Sequence, residues 1–243
     1  MSGHNKWAQI KHKKAITDAK KGTLFSKMVR EIAIAAKTGD PNPEMNIRLK
    51  AAIERARSIG LPKDNIDRAV AKAAGHGDGS ELFEFLYEAS APGGVAILIE
   101  GITDNKNRTF NEIKHLLSKH DARLAEPGSL LWNFEKIGII EVSRTNTLYA
   151  NQEDFELALI GAGASDIACH EDATIVEVLF SDLAHVRKEL KKLGVRIIQS
   201  GHDYKSRSPL SLSELPASLE TLLDAISEHD DVQEVYTNIN NRT

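Results

Sequence analysis

A single cysteine, Cys169, stands among the 243 residues, so the chain can close no internal disulfide and build no cysteine-based zinc cluster. One lone thiol fits a reducing compartment. Apolar runs are short as well: 95–99 and 137–142 are strand-sized, far below the ~18 residues of a membrane span. The opening MSGHNKWAQIKHKKA has no apolar signal-peptide core, no arginine before Arg30 and one serine before Ser26. These absences predict a cytoplasmic chain with no membrane partner. Catalytic signatures are missing too. No HExxH occurs, His115 and His120 fall off a shared helix face, and no Ser-His-Asp set or paired carboxylates stand out. Cys169 and His170 are neighbours on an expected strand and point to opposite faces, which reads as a core cysteine rather than a thiol pair. The expectation is no enzyme, no cofactor and no metal ligand set.

What is present is a segregation of charge. The net charge of -4 conceals a basic first part: residues 1–75 hold 16 Lys/Arg against 7 Asp/Glu, and residues 76–243 hold 15 against 28. A basic segment joined to an acidic body implies a polyanion partner for the first. The excess is densest in residues 1–22, where Lys6, Lys11, Lys13, Lys14, Lys20 and Lys21 are opposed only by Asp18. Like charges at that density repel, which predicts a loosely ordered arm.

Apolar periodicity then organises the chain. Phe25, Met28, Val29, Ile32 and Ala36 form a helical stripe over 23–37, with Gly39 expected at positive φ beyond it. Met45, Leu49, Ala52, Ile53 and Ala56 mark a second helix over 43–59, closed by Gly60. Ile66, Ala69, Val70 and Ala73 mark a third that starts near Pro62. The outward positions of this bundle include Lys27, Arg30, Arg48, Lys50, Arg55, Arg57, Arg68 and Lys72. The glycine-rich 75–79 reads as a linker. After it the period changes. Strands are expected over 83–89 and 95–100 around an Ala91-Pro92-Gly93-Gly94 turn, a helix over 109–120 with Phe110, Ile113, Leu116 and Leu117 inward, and a third strand near 130–134. Residues 137–200 run β-α-β-β-α-β, the ferredoxin-like order, with glycines at 161, 163 and 194 placed for helix C-caps. A last helix over 216–228 and strand over 232–237 cannot bury themselves alone, so they are expected to complete the sheet begun at Phe83.

The expected fold class is α+β: an N-terminal three-helix bundle with a basic arm, followed by two α/β domains, one ferredoxin-like and inserted in the other. The corresponding boundaries are 1–75 for the helical part, 80–135 plus 208–240 for a discontinuous α/β domain, and 136–205 for the insertion.

The motifs SGHNKWAQIKHKK, DAKKGTLFSKMVREIAIAAKTG, LPKDNIDRAV, APGGVAILIEGITDNKNRT and LSKH resemble the YebC/PmpR family of transcriptional regulators nearly end to end. The resemblance implies an N-terminal helical domain with two α/β domains in a cleft-like arrangement. It also implies two alternative roles: DNA-binding transcription control, or ribosome-associated translation, since mitochondrial relatives activate translation of a cytochrome oxidase subunit and bacterial ones help synthesis through proline runs. The sequence departs from the family pattern where Ala89-Ser90 replaces a Gly-Tyr pair and where Asp121-Ala122-Arg123-Leu124-Ala125 replaces Gly-Gly-Asn-Leu-Gly.

Three constellations are candidates for function. The first is the arm with its helices: Lys6, Trp7, Lys11, His12, Lys13, Lys14, Lys20, Lys21, Lys27, Arg30, Arg55 and Arg68, for contact with DNA or ribosomal RNA, the ribosome being a candidate partner. Trp7 either stacks on an unpaired base or anchors the arm to the bundle. Gly60-Leu61-Pro62 is a generic turn, and helix three offers no base-reading set beyond Asn65 and Arg68, so phosphate contacts should dominate over sequence readout. The second is a candidate anion-binding loop of Asn105, Lys106, Arg108 and Thr109 at a helix start, where capping is the plainer role. The third, Gly161-Ala162-Gly163-Ala164-Ser165-Asp166, follows a helix and opens a strand, the reverse of a nucleotide-binding loop, and reads as a C-cap.

Overall fold

The computed structural model describes residues 18–73, 75, 81–144, 149, 151–170, 173–212 and 215–240, with side chains from Lys21 onward. Chain contacts divide it into two compact units, Glu135–Lys205 and the remainder of the folded chain. The arm through 17, residue 74 and residues 76–80, which hold all of the expected linker but Gly75, lie outside the described residues.

Three helices, α1 (Asp18–Thr38), α2 (Ile47–Ser58) and α3 (Lys63–Ala73), meet on the stripes that the sequence displays. Met28, Ile32, Leu49, Ala52, Ile53, Ile66 and Ala69 are buried together. Two expectations are corrected at the α1–α2 junction. Gly39 is not among the glycines at positive φ. What position 39 requires is space, since a Cβ there would come within 2.5 Å of Asn46 Nδ2. That amide ties the junction, donating to the Ala35 and Asp40 carbonyls at 2.8 Å each while its oxygen accepts from Leu49 N at 3.0 Å and caps α2. Because α2 starts only after this cap, Met45 precedes the helix and is 74% exposed instead of lying on its apolar face.

The next layer is an antiparallel sheet. Strands β1 (Phe83–Ala91) and β2 (Val95–Thr103) pair from Phe83↔Thr103 to Ala91↔Val95 around Pro92-Gly93-Gly94, where both glycines sit at φ 79° as the tight turn demands. Helix α4 (Lys106–Ser118) follows, then the two-residue strand β3 (Arg123–Leu124) beside β1. Near the C-terminus, α7 (Ala217–Glu228) and β9 (Val232–Thr237) return, β9 pairing with β2, to give the order β3-β1-β2-β9. Ile97, Ile99, Ile113, Leu117, Leu222, Leu223 and Ile226 form its core. Phe110 is 42% exposed rather than inward; it lies at the start of α4, edge-on to the Tyr87 ring at 5.7 Å. Short strands β8 (Leu210–Ser211) and β10 (Ile239–Asn240) pair in parallel at one margin.

No strand forms over 130–133; only Phe134 of the expected stretch is extended, as the first residue of the next strand. Residues Leu131–Asn133 make a 3-10 turn instead. The cause is Glu88, a buried carboxylate on β1 that accepts from the backbone N–H groups of Gly128, Leu130 and Leu131 at 2.5, 2.6 and 2.9 Å. Amides bound to one carboxylate cannot also join a ladder. Both departures from the family pattern meet beside this loop, in the pairs Ala89↔Leu124 and Ser90↔Arg123. Asp121, standing where the pattern has glycine, takes φ 56°, the one non-glycine positive φ among the described residues.

In the second unit, β4 (Phe134–Ser143), α5 (Gln152–Gly161), β5 (Asp166–Cys169), β6 (Ala173–Leu179), α6 (Leu183–Lys192) and β7 (Ile197–Ser206) follow the predicted rhythm, with β7 running further than the expected 195–199. The strand order β5-β6-β4-β7 is ferredoxin-like. Ile140, Val142, Val176 and Val178 pack against Phe155 and Leu159 of α5 and Val186 and Leu190 of α6. Gly163 at φ 110° and the Leu159 carbonyl accepting from Ala164 N close α5, the expected C-cap. Cys169, expected in the core, is exposed at the end of edge strand β5.

Candidate nucleic-acid interface

Of the residues expected to meet phosphate, Lys6, Trp7, Lys11, His12, Lys13 and Lys14 lie outside the described residues, and Lys20 falls in the first turn of α1. Lys21 and Arg68 are exposed. Arg68 bonds along its own helix, Nε to the Asp64 carbonyl at 3.1 Å and Nη2 to Asn65 Oδ1 at 2.5 Å. Three others are not outward. Lys27 is 5% exposed and donates to the Ser227 carbonyl at 2.7 Å. Arg30 donates to the Asp230 carbonyl and to Asp231 Oδ1 at 2.6 and 2.7 Å. Arg55 pairs with Glu31. Arg48 likewise pairs with Glu84, and Lys37 with Glu81 at 3.2 Å. These cations are drawn to acids and carbonyls of the neighbouring sheet layer and of the bundle itself; the outward placement of Lys27, Arg30 and Arg55 is corrected, while Lys37 and Arg48 stay exposed in their pairs. Lys21, Arg57, Lys63, Arg68 and Lys72 remain exposed without a carboxylate partner among the described residues.

At the start of α4, Arg108 and Thr109 of the candidate loop face an internal carboxylate, that of Asp231. Asn105 caps the helix, accepting from Arg108 N at 3.1 Å. Around it the Asp231 carboxylate, 2% exposed, receives Thr109 Oγ1 at 2.5 Å, Thr103 Oγ1 at 3.1 Å, Arg108 Nη2 at 2.9 Å and, on its other oxygen, Arg30 Nη1. Burial pulls this carboxyl's pKa upward. Hydrogen bonds from Thr109 and Arg108, with the charges of Arg30 and Arg108, outweigh that and hold it below the usual aspartate value. Lys106 takes no part; its ammonium lies 4.5 Å from the centre of the Phe83 ring. Nothing in the sequence pointed to Asp231, because its partner Arg30 is 201 positions away.

Glu112, His229 and Asp231 present ligand atoms within 4.8 Å of one another. Their chemistry does not suit a cation. Asp231 already faces two guanidiniums, and His229 Nδ1 is occupied by the Asp231 N–H at 3.1 Å. No helix among the described residues is long and apolar enough to cross a membrane.

Residues 5–76 match the profile of the TACO1/YebC protein N-terminal domain, and residues 82–239 match that of the TACO1/YebC second and third domain. The chain belongs to the TACO1/YebC family. Among similar TACO1/YebC proteins, one from Kosmotoga olearia is 44% identical over 98% of this chain and 94% of its own length. One from Thermomicrobium roseum is 44% identical over 98% and 96%. Both carry the name "Probable transcriptional regulatory protein". The crystal structure of a conserved hypothetical protein from Aquifex aeolicus superimposes with a TM-score of 0.85 at 41% identity, covering 96% of each chain. Regulation of transcription, with the word probable, is thus the role that these relatives carry by name.

Proposed function

We propose that this TACO1/YebC chain is a nucleic-acid-binding regulator of gene expression, acting on DNA as a transcriptional regulator. The observation that carries the reading is the concentration of six lysines against one aspartate in residues 1–22. With Lys27, Arg30 and Arg55 engaged inside the fold and Arg48 paired at the surface with Glu84, phosphate contact falls to the arm, joined by Lys21, Arg57, Lys63, Arg68 and Lys72. Affinity built this way comes from counterion release and reads sequence weakly. The names of the relatives support regulation of transcription.

Crosslinking in cells, with sequencing of the bound nucleic acid and co-sedimentation on ribosomes, tests the target. Enrichment at promoters upholds the DNA reading; recovery of ribosomal RNA with ribosome co-migration replaces it with a translation role on the same lysines. In solution, changing Lys11, Lys13 and Lys14 to Ala weakens binding across sequences and flattens its salt dependence by about one unit per lost contact. Unchanged affinity would assign the arm to packing.

A further inference from the structure

We infer that the Glu135–Lys205 unit carries a stacking platform for an unpaired nucleobase, built from Phe180, Lys136, Tyr204 and His202. The inference rests on the reading that the chain binds nucleic acid, and it names a second contact surface, away from the basic N-terminal segment in sequence.

Strands β4 and β7 and the residue just past the end of β6 bring these side chains together. The sheet order places β4 between β6 and β7, and the pair Ile137↔Leu179 sets Lys136 opposite Phe180 one step further along. The Lys136 ammonium lies 4.7 Å from the centre of the Phe180 ring and 5.5 Å from that of Tyr204. His202 stands edge-on to both rings at 6.1 and 5.9 Å. The patch begins where the helical cover ends. Gly138, the next residue of β4 on this face, is roofed by α6: a Cβ there would come within 3.1 Å of Leu183 and 2.6 Å of Val178. Beyond that roof Phe180 is 45% exposed and Lys136 is exposed.

An aromatic ring left open forgoes the burial energy of a core position. Here it is held among other rings, with a cation beside it. That pairing suits a strand of unpaired nucleotides, whose bases offer a π-face to Phe180 and whose phosphates offer a charge to Lys136. Helix α6 starts three residues past Phe180 and carries Arg187, Lys188, Lys191 and Lys192 further along it against Glu189, which pairs with Lys192 at 2.8 Å. A duplex keeps its base faces stacked inside and presents none to the ring. The platform therefore selects single strands.

The full-length chain is titrated with fluorescein-labelled single strands of about 15 nucleotides, as RNA and as DNA, and with the matching duplexes, over a range of salt. Phe180→Ala should weaken single-strand binding roughly ten-fold and leave its salt dependence and the duplexes unchanged, with Phe180→Tyr restoring wild-type affinity. Lys136→Gln should lower the single-strand salt slope by about one unit. The sugar whose strand shows the Phe180→Ala loss is the one the platform takes. Equal losses on single strands and duplexes, or a lower melting temperature without rescue by tyrosine, would make Phe180 a packing residue and overturn the inference. If wild type binds nucleic acid through the arm lysines and Phe180→Ala matches it, only the platform falls. If wild type binds no strand of either kind, the parent reading falls with it.

Discussion

The helical segment and the Glu135–Lys205 unit dispose of their cations in opposite ways. Residues 1–75 carry the basic excess, yet Lys27, Arg30, Lys37, Arg48, Lys50 and Arg55 are turned onto carboxylates and carbonyls. Residues 135–205 hold 8 Lys/Arg against 12 Asp/Glu, yet Lys136 is spent on aromatic faces at the surface. A ligand meets only the charge that the fold leaves uncompensated, so the net charge of a segment can overstate one surface and hide another.

Breaking the inward pairing should have the largest effect. Asp231→Ala leaves Arg30, Arg108 and two threonine hydroxyls without their shared acceptor. Both guanidiniums still reach water, so a loss of about 2–4 kcal/mol in urea unfolding is expected; a loss below about 0.5 kcal/mol would mean that the helices dock by other contacts. The same residue fixes a pH response. Its folded pKa is depressed, so its contribution is complete above the unfolded aspartate value of about 3.9 and drains away as pH falls through the folded one. Wild type should therefore lose stability below about pH 4 more steeply than Asp231→Ala.

Next comes the loop that replaced an expected strand. Glu88→Ala frees three backbone donors and should cost about 1–3 kcal/mol, with hydrogen exchange rising at Gly128, Leu130 and Leu131. Exchange unchanged there would remove Glu88 as the cause of the bend. By contrast, Arg57→Ala with Lys72→Ala touches cations without partners among the described carboxylates and should alter stability by under about 0.5 kcal/mol. A larger change would show that the helical face is neutralised more completely than the described pairs indicate. The smallest effect concerns Cys169, whose thiol is exposed but has its pKa raised, first by burial and then by the Glu156 carboxylate. Iodoacetamide at pH 8 should alkylate it more slowly than a free cysteine, with no change in stability.

Much of the fold was legible because it is written locally. The α1–α3 stripes, the Pro-Gly-Gly turn and the βαββαβ rhythm depend on residues a few positions apart, and β9's return followed from its inability to bury itself alone. What stayed illegible was decided at a distance or by a single side chain. Phe110 has the spacing of an inward residue but sits at the sheet margin. Met45 has the spacing of α2 but precedes its cap. Strand propensity at 130–133 yielded to one carboxylate on β1. The candidate site fared worst. Helical spacing puts Lys27 and Arg30 anywhere but on the core stripe, and only the folded chain says that α7 and its following turn are waiting for them. The aromatic cluster was equally hidden, because Lys136, Phe180 and Tyr204 become neighbours only through strand order.

Asp231 also sets a timetable. Arg30, Arg108, Thr103 and Thr109 are all synthesised well before the carboxylate that gathers them, and β9, which begins one residue later, is the last full strand of its sheet. Synthesis proceeds from the N-terminus at about 5–20 residues per second. Through most of translation, then, the helices have no finished surface to dock on, and two cations stand open to any polyanion nearby. Arrival of Asp231 and β9 closes that interval and makes the last-made strand the one that completes the first-made helices.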